Sequence, residues 1–295
     1  MLVLRVRDVA ASERFYRALA PELAIELVQD EATTQNLELR FVVDDLAAVH
    51  ARAVAAGATV DGEGSYRDPD GNLVTFTARA HDLRVAGVDL ARGALAVVVL
   101  EGDRVVETFR CDSFAEALLV DAAVIGVDVP IGLPESGTRE ADVAARRFVG
   151  PRWSSVFATP IRPVLEAETY AEARAVATRL TGKSISAQAY ALSRRILELD
   201  DRADDDERVI EVHPEVSFHE LARRPLLSKR GTDGLAERRV LLEEAGIDLP
   251  ATAPRIAEPD LLDATICAWT ARRYARGEAL PLPAGHTARI GAIWR

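Results

Sequence analysis

The chain has 295 residues, 47 acidic against 36 basic side chains, and a formal net charge of −11. That length suits about two domains, and 48% apolar with 28% charged residues is an ordinary globular balance. The acidity excludes broad, non-specific capture of nucleic acid, which needs a basic footprint; it leaves room for a local basic groove or for metal ions that meet phosphates. No run approaches the roughly 18 apolar residues of a membrane span, and "MLVLRVRD" carries charge too early for a signal peptide. Cys111 and Cys267 stand far apart in no metal-like spacing. A reduced, cytoplasmic protein without membrane contact is expected.

Residues 1–80 read as one small α+β unit. "LVLRVRD" alternates as a strand, "VAASERFYRAL" has helical spacing with Asp8 or Ser12 near its start, and "ELAIELVQD" is a second strand. "NLELRFVVDD" alternates again, and "LAAVHARAVAAGA" is a helix ended by Gly57. "SYRDPDGNLVTFTA" is a hairpin with Asp70-Gly71 at its turn. The order βαβ–βαββ carries an approximate internal repeat.

A linker around "ARAHDLR" leads to residues 84–295. "RVAGVDLARGALAVVVLEGDRVVETFRCD" reads as three strands with turns at Ala91–Gly93 and Glu101-Gly102-Asp103, followed by a short helix capped by Ser113. "AVIGVDV" is the fourth strand, fully apolar until its carboxylate, and Pro130 and Pro134 stop regular continuation. A long α-rich insertion, residues 138–200, comes next: "TREADVAARRFVG", "YAEARAVATRLTG" and "SAQAYALSRRILELDDRA". "RVIEVHPEVSF" is a fifth strand, and two helices follow, "TDGLAERRVLLEEAG" and "PDLLDATICAWTARRYARG". This order predicts a mixed sheet covered by helices.

Asp89 closes "VAGVD" and Asp128 closes "VIGVD", and these two strands are expected to be neighbours. The C-terminal edge of such strands is where ligands bind in open α/β sheets. Glu211 lies in the fifth strand, and Asp263 lies in the first turn of the last helix on its sheet-facing side, with Asp260 as its cap or as a charge that helps its start. Four carboxylates from four elements are thus expected to converge. Packed alone they repel and raise each other's pKa; bound divalent cations remove that penalty. Hard oxygen ligands suit Mg2+ or Mn2+, and two such ions clamp the attacking and leaving oxygens of a phosphodiester.

Other polar residues have two readings. His213, two residues after Glu211, is a general acid, metal ligand or phosphate contact, or else a structural partner beside Pro214. Glu215 is a helix-start residue or a further ligand. The chain has 34 arginines and only two lysines, Lys183 and Lys229, each beside a Gly-containing loop. Under an arginine-favouring bias, they are read as phosphate contacts retained for a compact ammonium, or as surface charges. Ser154, Ser155 and Gln188 are candidates to line a pocket, and Arg92 to contact substrate near the first carboxylate. Arg194 and Arg195 are assigned to a solvated helix face, and Trp153, Trp269 and Trp294 to the core or an interface.

Two resemblances follow from the motifs. "LRVRDVAASERFYRAL", "FVVDDLAAVHARAVAAGATV" and "RDPDGNLVTF" resemble the vicinal-oxygen-chelate superfamily of glyoxalases and bleomycin-resistance proteins, in shortened form. Its metal positions fall near Met1, on Glu38 and on Thr75, which implies a degenerate module without metal chemistry. Its open sheet edges call for a partner, either a homodimer through this unit or docking on the second domain. Residues 84–295 resemble a family of predicted RNase H-like nucleases of uncharacterised role. The carriers are "GVD", "GVDVPIGLP", "SSVFATPIRPVLEA", "GKSISAQAYAL", "EVHPEVSF" and "LLDATICAWTARR". The resemblance implies an RNase H-like fold with an acidic metal site at Asp89, Asp128, Glu211 and Asp263. It departs at "LARGALAV", where the family has a Gly-rich turn followed by an aromatic residue.

The leading expectation is a metal-dependent nuclease acting on a nucleic acid or nucleotide. The alternative from another class is a non-catalytic nucleotide- or nucleic-acid-binding regulatory protein that has kept the fold. A phosphotransferase is disfavoured because only one half of its duplicated core is seen, and a glyoxalase-like activity is disfavoured by Met1 and Thr75.

Overall fold

The computed structural model describes residues 2–19, 25–29, 37–43, 46–56, 58–62, 64–78, 83–91 and 93–295. The chain divides into two compact units, Met1–Asp82 and Leu83–Arg295. Both are mixed α/β. Among the described residues no helix is long and apolar enough to cross a membrane.

In the first unit, β1 (Leu2–Val6) runs parallel to β2 (Ile25–Gln29), joined through α1 (Val9–Leu19). The Asp8 carboxylate accepts from the Ala11 N–H at 2.9 Å, so Asp8 rather than Ser12 caps α1. β3 (Glu38–Val43), α2 (Leu46–Ala55), β4 (Thr59–Gly62), β5 (Ser65–Arg67) and β6 (Leu73–Ala78) follow. Their sheet order is β3-β6-β5-β4. The sequence reading missed β4, whose four residues are too few for a clear alternation. Gly71 has φ +86° at the β5–β6 turn, a backbone that favours glycine. Gly57 lies outside the described residues.

The second unit is built on a five-stranded sheet of order β11-β10-β7-β8-β9. β7 (Arg84–Ala91), β8 (Ala94–Glu101) and β9 (Arg104–Cys111) form an antiparallel meander. α3 (Phe114–Ala117) is capped by the Ser113 side chain and leads to β10 (Val124–Val127), which pairs parallel with β7. The insertion holds α4 (Glu140–Val149), a 3-10 turn over Gly150–Ser155, α5 (Arg162–Leu165) and α6 (Tyr170–Thr181). It ends with α7 (Ala187–Ala191) and α8 (Ser193–Ala203), two helices where the sequence suggested one.

The expected long fifth strand is cut short. β11 covers only Val209–Glu211, and α9 (Pro214–Ala222) starts at once. Pro214 is the cause: it lacks a ladder N–H and its fixed φ favours a first helical position. α10 (Thr232–Glu244), α11 (Glu258–Ala275), β12 (Pro281–Leu282) and β13 (Ile293–Trp294) complete the unit.

Helices cover both sheet faces. On one face Val85, Val98 and Leu100 pack with Leu261, Ala264 and Ala268 of α11. On the other, Ala86, Val97 and Val99 pack with Phe114, Ile196 and Leu199. Every residue of α11 from Leu261 to Arg272 is buried, as befits a helix without a polar face.

This helix sits on two glycines. A Cβ on Gly87 would lie 1.9 Å from the Ala264 carbonyl oxygen, and one on Gly126 2.6 Å from that of Cys267. Both obstacles are backbone, which cannot swing aside. Gly87→Ala is expected to destabilise the chain by about 3 kcal/mol, the upper part of the usual overpacking range. Urea denaturation checks it; an unchanged midpoint would mean that α11 does not seat where described.

Candidate functional site

Side chains on a strand alternate faces, so residues two apart share one. Val85, Gly87 and Asp89 therefore share the α11 face of β7. Val124, Gly126 and Asp128 do the same along β10. The strands pair in register, Gly87 with Gly126 and Val88 with Val127, and the Asp128 N–H donates to the Val88 oxygen at 2.9 Å. Each Gly-Val-Asp thus seats the helix with its glycine and presents a carboxylate beside it.

Asp263 extends from the second turn of α11, not the first, since the helix begins at Glu258. Asp260 occupies its first turn and is not the cap, which is Ala257. Asp89 and Asp263 are buried, and Asp128 is half-buried. Burial, then the charges of Asp263 and Asp128, push Asp89 well above the carboxylate range. Burial also raises Asp263, to about 6, against the opposing pull of Lys229. Lys229, from the loop before α10, forms an ion pair with Asp263. Burial disfavours its charge, but Asp263, Asp128 and Asp89 outweigh that and raise its pKa. Among the described residues, no side chain donates a hydrogen bond to the carboxylate of Asp89 or of Asp128.

Glu211 does not join this group, contrary to the expected four-carboxylate cluster. Arg139 grips both its oxygens, one at 2.7 Å, and the Ile131 N–H donates to it at 2.8 Å. Arg139 also donates to Asp142 at 2.8 Å, whose other oxygen accepts from the Thr159 N–H at 2.6 Å. Asp200 accepts from the Gly132 N–H at 2.6 Å. Glu211 and Asp200 thereby hold the Pro-Ile-Gly turn that follows Asp128. Glu211 is a positioning residue, and its burial, which raises its pKa, is offset by the Arg139 guanidinium.

The sheet edge opens into a cleft of about 1310 Å3, whose lining includes Asp128, His213, Ser155, Gln188 and Lys229. His213 is the residue before α9, still in extended backbone two residues beyond Glu211, and both line the cleft; its Nδ1 is buried without a hydrogen-bond partner. Ser155 donates its hydroxyl to the Arg152 carbonyl at 2.7 Å. Glu215 stands in the first turn of α9, paired with Arg238 and Arg152. Lys183 is exposed in the turn after α6 and does not line the cleft. Arg92 lies outside the described residues.

Arg194 and Arg195, assigned from sequence to a solvated face, both line the cleft. Trp269 and Trp294 are buried, but Trp153 is 59% exposed. The sequence reading missed Arg139 and Asp142 entirely. Their i, i+3 spacing at a helix start was the one available signal, and many surface pairs share it.

In the first unit, the Thr75 hydroxyl is hydrogen-bonded to Ser65 at 3.1 Å, while Met1 and the side chain of Glu38 lie outside the described residues. Across the described residues, no group of three or more His, Cys, Asp or Glu side chains is arranged to hold a metal ion.

A family model described as "Protein of unknown function (DUF429)" matches residues 87–288. The chain belongs to this family. No curated protein and no solved structure matches it. The DUF429 match begins at Gly87, the first helix-seating glycine, and includes all three clustered aspartates and Lys229.

A carboxyl with a raised folded pKa binds its proton more tightly when folded than when unfolded. Its contribution to stability is full below the ordinary value of 3.8 and is lost as pH rises through the raised value. Asp89→Asn removes the charge and keeps the shape. In chelator, the variant is expected to exceed wild type in urea midpoint at about pH 8, with the gap closing near about pH 4. A gap independent of pH would contradict the burial and repulsion described.

Proposed function

We propose that this DUF429 protein is a divalent-cation-dependent phosphodiester hydrolase acting on a nucleic acid or nucleotide. The observation that carries the reading is the aspartate cluster where parallel strands meet α11: Asp89 and Asp263 are buried behind Asp128, which lines a cleft that also holds Lys229, Arg194 and Arg230. Three carboxylates with one ammonium leave uncompensated negative charge, and a cation relieves it.

Two ions on four carboxylates do not fit, because Glu211 is taken by Arg139 and Asp263 by Lys229. One Mg2+ or Mn2+ does fit. Such ions keep several waters and need only one or two carboxylates plus substrate phosphates, and Asp89 and Asp128 have carboxylates without hydrogen-bond donors. Bound there, the ion would lower the pKa of a water and offset charge on the phosphate.

The chain's own residues do the rest. The Lys229 ammonium, held at Asp263, faces the phosphate and stabilises charge that develops on its oxygens. Arg139 acts at a distance, through Glu211 and the turn that fixes Asp128. His213, which lines the cleft, is the candidate to protonate the leaving oxygen. The non-catalytic reading draws on one observation: the Lys229–Asp263 pair already fills part of the site. Residues 1–80 are read as a shortened vicinal-oxygen-chelate module that binds or shields, and that pairs in a homodimer.

Titration calorimetry with Mn2+ and Mg2+, with and without an oligonucleotide, tests the site. The expected result is one ion per chain for wild type, none for Asp128→Asn, and Mn2+-dependent cleavage of the oligonucleotide by wild type alone. Binding that survives Asp128→Asn, or cleavage that does, overturns the assignment. Oligonucleotide binding by a chain that neither takes up Mn2+ nor cleaves in its presence selects the binding-protein reading.

A further inference from the structure

The lining of the cleft carries a side chain that no packing explains. Phe157 is 75% exposed and lines the cleft. Among the described residues no aromatic ring or guanidinium stacks on it. The segment around it is fixed nonetheless: Val156 is buried, and Thr159 is tied to Asp142 through both its N–H and its hydroxyl. A phenylalanine held out to water on an anchored segment loses the burial that keeps such rings inside.

Its neighbours in the cleft lining supply the complement. Arg194 on α8 and Arg230 in the loop before α10 line the same cleft, and among the described residues neither side chain has an ion-pair partner. Most other arginines of the second unit that face acidic groups are paired, as Arg139, Arg162 and Arg238 are. In a chain of net charge −11, two unpaired guanidinium groups beside an acidic floor mark places for anions. An exposed ring and unpaired cations in one cleft are the groups that receive an unpaired base and its phosphates.

We propose that Phe157 is a base-stacking platform, with Arg194 and Arg230 as phosphate contacts, and that the cleft takes single-stranded nucleic acid. This rests on the reading of the cleft as a nucleic-acid site. A duplex is refused because its base faces are already stacked and cannot lie on the ring. A mononucleotide supplies one base but lacks the flanking phosphates that a strand offers on both sides of it.

Fluorescence anisotropy in chelator, which prevents cleavage, tests it with labelled probes about ten nucleotides long. The probes are a single strand, an abasic strand of equal length and a blunt duplex, with a mononucleotide as competitor. Wild type is expected to prefer the single strand over all three. Phe157→Ala is expected to weaken that binding roughly 5- to 100-fold, the range for loss of one stacked base, and to leave the abasic strand unaffected. Phe157→Trp retains binding, and Arg194→Gln weakens base-bearing and abasic strands alike. The ring is exposed, so its variants should melt as wild type does.

Equal affinity of Phe157→Ala and wild type for the single strand overturns the proposal, as does a wild-type preference for duplex or mononucleotide. These outcomes leave metal-dependent cleavage standing. Phe157-dependent binding without any cleavage instead keeps the platform and removes the hydrolase.

Discussion

The close approach of α11 to β7 and β10 is the constraint on which the site depends. Two backbones come within van der Waals contact only because Gly87 and Gly126 carry no Cβ at the crossing. Strand alternation then presents Asp89 and Asp128 on that same face two residues later. The helix runs back across the strands with Asp263 one turn before Cys267, its contact with Gly126. A single packing decision, helix on glycine, therefore assembles three carboxylates from three elements that are distant in sequence.

Such a cluster is unfavourable by itself. Burial pushes Asp89 and Asp263 upward, and repulsion from Asp128 adds to both. The structure offsets this only in part, through Lys229. Elsewhere in the same cleft the opposite policy holds: Glu211, Asp142 and Glu215 are each satisfied by a buried or half-buried arginine. The contrast separates carboxylates that hold the scaffold from those left available for chemistry. The Arg139 network belongs to the first kind, and it fixes the turn carrying Pro130 and Gly132 away from Asp128.

Much of this was legible in the sequence, for stated reasons. The paired Gly-Val-Asp endings predicted neighbouring strands and two adjacent carboxylates, because fully apolar strands belong at a sheet centre. The rarity of lysine pointed to Lys229, which sits at the aspartates, but equally to Lys183, which is exposed and away from the cleft. Glu211 was misassigned because a strand position fixes a side chain's face but not its partner, and Arg139 lies 72 residues away. The strand at Val209 ended early because Pro214 forced a helix. The places of Arg194 and Phe157 in the cleft lining were hidden for the same reason: which exposed side chains line a cleft is settled only when the insertion folds.

The central claim is that Asp89 and Asp128 hold a cation while Glu211 holds the scaffold. The anomalous scattering of Mn2+ in crystals of this chain tests it most directly. The account predicts one peak within bonding distance of both Asp89 and Asp128, with Arg139 still on Glu211. A peak ligated by Glu211, or none at the aspartates in Mn2+-saturated crystals, would contradict it.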